Sequence, residues 1–260
     1  MILPALTSVT FRKLAPEEVV ALAAGSGLKG IEWGGDIHVP PGRPEMARRV
    51  RALTRSAGLE VSSYGSYYRA GHPETGPFEA VLETALELEA PAIRIWAGRR
   101  ASAEADPAYR AAVTADVVRV CRLAAAAGRT VAFEYHANTL TDESLSARRL
   151  LLEADQSNLR TYWQPPNGLG LGESLQSLKA ILPWLSNLHV FYWNPDGKSR
   201  RPLAEGTGLW RRYLSVAYAV PGRHYAILEF VMDDAPENFR LDALTLLGWL
   251  EELRPPEYQI

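Results

Sequence analysis

Short β-rich runs alternate with helix-period segments along the whole chain, and this alternation restricts the fold more than any single motif does. The runs cover residues 2–10, 30–34, 60–67, 92–97, 130–136, 159–164, 187–193 and 225–231. Helical periodicity fills residues 16–24, 44–57, 78–89, 107–127, 141–154, 173–182, 209–219 and 241–253. Pro16, followed by Glu17 and Glu18, makes a good helix start. Gly58 and Gly128 stand where left-handed C-caps are needed. Strict βα alternation without a break in composition predicts a parallel sheet in one domain spanning residues 1–260. Eight units in 260 residues favour a closed (β/α)8 TIM barrel over an open sheet. No Gly-x-Gly-x-x-Gly follows the first run, which counts against a dinucleotide fold.

Four of the apolar runs carry one isolated polar residue near the C-terminal end: Glu134, Gln164, His189 and Glu229. Side chains alternate across a strand, so residues two apart share a face. Glu134 then points with Ala132 and His136, Gln164 with Tyr162, His189 with Phe191 and Trp193, and Glu229 with Ile227 and Tyr225. All four face the barrel axis on strands five to eight, at the rim where barrel active sites lie. A carboxylate or imidazole buried in a strand costs several kcal/mol unless something pairs with it. Four such costs at one depth point to one shared partner, a divalent metal ion; manganese, magnesium, cobalt and zinc all accept these donors. Glu32 and Arg94 point inward by the same parity and are predicted to form a buried structural ion pair.

Composition excludes several function classes. A formal net charge of -2 gives no electrostatic reason to bind a nucleic acid. No apolar stretch is long enough to cross a bilayer, and the N-terminus lacks the basic region of a signal peptide. The lone Cys121 rules out an internal disulfide and fits a reducing cytosol, so a cytoplasmic location is expected. A homo-oligomer is compatible with the apolar last helix and the aromatic tail.

The motifs Gly30-Ile-Glu-Trp, Ile93-Arg-Ile-Trp-Ala-Gly98 and Phe133-Glu-Tyr-His136, with His189 and Glu229, resemble those of the sugar phosphate isomerase/epimerase family, a group of xylose isomerase-like barrels. The resemblance runs strand by strand over nearly the whole chain. It implies one divalent cation held by a glutamate, an aspartate, a histidine and a glutamate from strands five to eight. Those roles fall on Glu134, Gln164, His189 and Glu229. Gln164 departs from the pattern by replacing an anionic ligand with an amide oxygen, and Asn167 stands where relatives often place a substrate-binding histidine.

The chemistry this implies is proton transfer beside a carbonyl of a small keto-sugar or polyol, through an enediolate stabilised by the metal. Glu134 and Glu229 are the candidate base and acid, and epimerisation or isomerisation is the expected outcome. A metal-dependent dehydratase or lyase acting on a cyclic polyol would use the same ligands. A sugar-binding barrel without turnover is a further alternative. An abasic-site endonuclease would need more metal ligands than five histidines and these acids supply. His38, Tyr64, Trp96, His136, Asn167 and Trp193 are the candidate substrate contacts, with Tyr67 and Trp163 beside them. The long loop at 194–208 is a candidate lid, with Lys198, Arg200 and Arg201 placed to meet an anionic group.

Overall fold

The computed structural model describes residues 1–194 and 196–254. Eight parallel strands close into a barrel in chain order, β1 pairing with β8. They are β1 (Ile2–Thr7), β2 (Gly30–Gly34), β3 (Glu60–Arg69), β4 (Ala92–Trp96), β5 (Thr130–Phe133), β6 (Leu159–Trp163), β7 (Leu185–Val190) and β8 (His224–Leu228). The helices that cross between them or follow the last strand are α1 (Pro16–Gly25), α2 (Pro44–Ser56), α3 (Phe78–Glu87), α4 (Pro107–Ala126), α5 (Ser144–Ala154), α6 (Leu171–Ile181), α7 (Thr207–Ala217) and α8 (Pro236–Glu252). This is the (β/α)8 TIM barrel that the alternation predicts.

Local chemistry accounts for the boundaries. Proline begins α1, α2, α4 and α8, where its missing N–H costs nothing. Asp106 caps α4 by accepting from the Tyr109 backbone N–H at 2.8 Å. Gly58 and Gly128 take φ of +73° and +66° just past α2 and α4. The first strand ends at Thr7, shorter than predicted, because Ser8–Phe11 wind into a 3-10 turn. The third runs two residues further than predicted, to Arg69. The fifth, sixth and eighth stop just before Glu134, Gln164 and Glu229, which stand on the rim.

Two apolar layers hold the barrel. Outside the sheet, Ile31, Trp33, Ile93, Ile95, Val131 and Phe133 pack against the helices, all fully buried. Each such side chain contributes about 1.5–3 kcal/mol by leaving water. Inside, Ala5, Ala132, Tyr162, Tyr225 and Ile227 fill the lower barrel with Leu3. The interior turns polar above them, with Glu32, Arg94 and His189 at 0–2% exposure. A register shift between Ile31 and Glu32 sets Glu32 opposite Ser63, whose hydroxyl donates to Glu32 Oε2 at 2.9 Å.

Candidate active site

The polar layer is built around His189. Its Nδ1 lies 3.1 Å from Gln164 Oε1, 3.2 Å from Glu229 Oε2 and 3.9 Å from Glu134 Oε1. Its Nε2 lies 3.3 Å from Glu32 Oε1. A neutral ring donating from Nε2 to Glu32 turns its Nδ1 lone pair toward the other three residues. That is the arrangement by which a second carboxylate orients a metal-binding histidine. One ligand atom each from Glu134, His189 and Glu229 lies within 4.8 Å of the others.

Arg94 ties this cluster together from β4. Its Nε donates to Glu32 Oε1 at 3.1 Å, so the ion pair predicted from strand parity is present. Its Nη1 also pairs with Glu134 Oε2, which receives the Trp96 indole N–H as well. Glu134 therefore has one oxygen held by two donors and the other, Oε1, turned toward His189. Gly65 makes room for the guanidinium: a Cβ there would lie 2.6 Å from Arg94 Nη2.

The charges in this layer shift one another strongly. Burial alone would raise the Glu32 pKa, but Arg94, His189 and Ser63 outweigh it and hold the carboxyl well below the usual range. Burial opposes ionisation of Glu229 too, and His189 and Arg94 overcome it. Burial would likewise lower the His189 pKa, yet Glu229 and Glu32 push it up to about 9 when no cation shares the site.

These residues fit a divalent cation. Glu32, Glu134 and Glu229 bring three negative charges and Arg94 one positive charge, leaving two to balance when His189 is neutral. The donors are two carboxylate oxygens, an imidazole nitrogen and the Gln164 amide oxygen, a set that hard and borderline cations accept. Two negative charges remain after Arg94 is counted, so the neutral amide at 164 does not leave the site short of charge.

The other candidate residues divide into two groups. His136 stacks on Trp96, with ring centroids 4.5 Å apart and planes at 21°. Its Nδ1 bonds the Ala137 carbonyl at 2.7 Å, and Nε2 has no partner among the described residues. Burial lowers its pKa and keeps the ring neutral. Trp193 and the exposed Asn167 line a cavity of about 270 Å³ between the β6 and β7 loops and α7, a cavity that none of Glu134, Gln164, His189 and Glu229 lines. His38 and Tyr64 do not reach the site, which corrects the sequence expectation for both. His38 is spent on Ser8 Oγ (3.0 Å) and the Leu14 carbonyl (3.1 Å). Ser63 and Gly65 face the axis on β3, so Tyr64 points to the helices and donates to the Val39 carbonyl at 2.8 Å. Trp163 also faces outward, bonded to Ser177.

Sequence reasoning missed Arg69, at the end of β3. Its guanidinium lies 3.6 Å from the centroid of the Trp96 ring. It also missed the second reach of Arg94 to Glu134, although the pairing of Arg94 with Ala132 sets Trp96 level with Glu134. Two residues near the cluster hold left-handed backbone without being glycine: Tyr67 (φ 60°) and Phe230 (φ 53°), which follows Glu229 directly. Such strain costs about 1–3 kcal/mol and is concentrated where function needs it. In the 194–208 loop, Arg200 pairs with Asp234 and Arg201 with Glu205. Among the described residues no helix is long and apolar enough to cross a membrane.

Known proteins share this architecture. The chain is 27% identical to the 3-dehydroshikimate dehydratase of Bacillus anthracis, over 71% of this chain and 69% of that protein. The crystal structure of a probable 3-DHS dehydratase involved in petrobactin synthesis, also from Bacillus anthracis, superposes with a TM-score of 0.79 at 22% identity, covering 95% of this chain and 99% of that one. D-psicose 3-epimerase from Clostridium cellulolyticum superposes at 0.72 with 12% identity, covering 97% and 99%. Residues 20–252 match the family described as the xylose isomerase-like TIM barrel, and the chain belongs to that family.

Proposed function

We propose that this protein is a divalent-metal-dependent lyase that removes water from a cyclic hydroxyketone. The observation that carries this reading is the capture of Glu134 Oε2 by Arg94 and Trp96. A carboxylate held by a guanidinium and an indole N–H is a weak base. Epimerisation through two opposed carboxylates would need Glu134 free to take or give a proton. Elimination needs one base only.

His136 is suited to that part. Its Nδ1–H is committed to the Ala137 carbonyl, its Nε2 lone pair is unpartnered, and its lowered pKa keeps it neutral. It would take the proton from the carbon beside the carbonyl. As the C=C bond forms and the C–O bond at the next carbon breaks, the same imidazolium returns that proton to the leaving hydroxide as water. Glu134, Gln164, His189 and Glu229 would hold the cation, which supplies Lewis-acid stabilisation to the developing oxyanion. The similarity to a 3-dehydroshikimate dehydratase agrees with this chemistry. The isomerase or epimerase reading is favoured by one observation, the approach of two carboxylates, Glu134 and Glu229, to the same nitrogen, Nδ1 of His189.

The test is incubation with 3-dehydroshikimate and manganese, following the ultraviolet absorbance of a conjugated product and the proton spectrum in D2O. Loss of water, abolished in His136→Asn, is the expected result. Deuterium uptake with inverted configuration and no loss of water, with this compound or with D-psicose, would establish epimerisation instead.

A further inference from the structure

We infer that Arg69 anchors a carboxylate on the substrate, so that the ligand class is a cyclic hydroxy acid and not a neutral sugar. The inference rests on the small-molecule reading of this site and narrows it. Most arginines near this rim are paired: Arg12 with Asp36, Arg94 of β4 with Glu32 and Glu134, Arg99 with Glu74, Arg100 with Asp106, Arg200 with Asp234 and Arg201 with Glu205, whereas Arg43 before α2 meets no acid among the described residues but is exposed to water. Arg69 meets no acid among the described residues. Its one hydrogen bond runs from Nη1 to the Gly98 carbonyl at 3.3 Å.

A half-buried guanidinium left without an anion is costly. Burial and the nearby Arg99 both disfavour the charge on Arg69, and an anion beside it would remove that cost. The group is also held in place. Its central carbon lies over the Trp96 ring, 3.6 Å from the centroid, and apart from the Nη1 bond to Gly98 its N–H donors have no partner among the described residues. Trp96 in turn touches both Glu134 and His136. Arg69 is thus one aromatic ring away from the polar cluster, the separation at which a ring substituent could meet it while the ring's hydroxyketone meets the cation donors. A guanidinium fork matches a carboxylate with two parallel hydrogen bonds. The paired arginines named above would have to surrender an acid to do the same.

The experiment compares quinate, a cyclohexane polyol bearing a carboxylate, with its uncharged methyl ester. Binding of each to the manganese-loaded full chain is measured by calorimetry for the natural protein, Arg69→Gln and Arg69→Lys, with thermal melts to verify folding. Quinate should bind the natural protein about tenfold or more tightly than the ester. Arg69→Gln should erase that preference while leaving ester binding unchanged, and Arg69→Lys should restore part of it. Equal binding of acid and ester by the natural protein, no quinate binding at all, or a preference that survives Arg69→Gln would overturn the assignment. The measurement needs no turnover. A preference for the acid in a protein that releases no water would defeat the lyase reading and leave this one standing. Water loss from a neutral polyol without acid preference would do the reverse.

Discussion

Gln164 is the neutral member of a donor set that is otherwise anionic or imidazole, and the site tolerates it because the three carboxylates outnumber the one guanidinium. With Glu32, Glu134, Glu229 and Arg94 counted together, two negative charges face the cation position. Replacing the amide by a carboxylate of the same length adds a third. Gln164→Glu should therefore tighten manganese binding, by about tenfold, since affinity at oxygen-donor sites follows ligand charge. Titration by electron paramagnetic resonance reads free manganese directly. An unchanged affinity would mean that residue 164 does not touch the cation. The added carboxylate would also sit about 3 Å from His189 Nδ1, so the variant should bind its metal more tightly without gaining turnover.

At the level of elements, β3 and β4 carry a packing relation that positions the charges. Gly65 faces the axis, and its missing side chain is the space that Arg94 occupies. Gly65→Ala should push the guanidinium away from Glu134 and destabilise the fold by about 1–3 kcal/mol, the range for an overpacked core. Chemical denaturation measures the loss; a variant as stable as the natural chain would show that Arg94 has other room. Much of this scale was readable in the sequence. Strand parity alone assigns Glu134, Gln164, His189 and Glu229 to one rim, and Glu32 and Arg94 to one layer. What escaped it depends on strand ends and register. Arg69 lay beyond the predicted end of the third strand, and its pairing with Trp96 follows a register shift after Gly65. Tyr64 has the aromatic character that suits a sugar-lined mouth, but alternation with Ser63 and Gly65 turns it outward. His38 looks like any loop histidine until Ser8 and Leu14 close on it.

For the molecule as a whole, buried charge sets how stability responds to its surroundings. Asp242 on α8 accepts the Leu203 backbone N–H at 2.8 Å, and burial outweighs that bond to raise its pKa to about 6 from 3.8. A carboxyl raised on folding favours the folded state below the unfolded pKa, and that contribution is lost as pH rises through about 6. Asp242→Asn keeps an acceptor for Leu203 and removes the titration. It should be more stable than the natural protein at pH 8, by about 1–2 kcal/mol after allowance for solvent screening, and gain nothing at pH 4. Melts at the two pH values decide it, and equal differences at both would exclude Asp242 as the source. The polar layer poses the larger demand. Its negative charges exceed the Arg94 charge, and in the metal-free protein protonation of His189 meets only part of the difference. A cation that binds the folded barrel and not the unfolded chain stabilises it by mass action, about 2.7 kcal/mol at a hundredfold excess over Kd. For a chain of this size each kcal/mol moves the midpoint by about 2–4 °C. Manganese should thus raise the melting temperature over a chelator-treated sample by about 5–10 °C. Glu229→Gln, which removes one donor and one charge, should lose most of that shift while Asp242→Asn retains it. Identical melts with and without manganese would mean that Arg94 and protonated His189 already satisfy the layer, and that no metal belongs there.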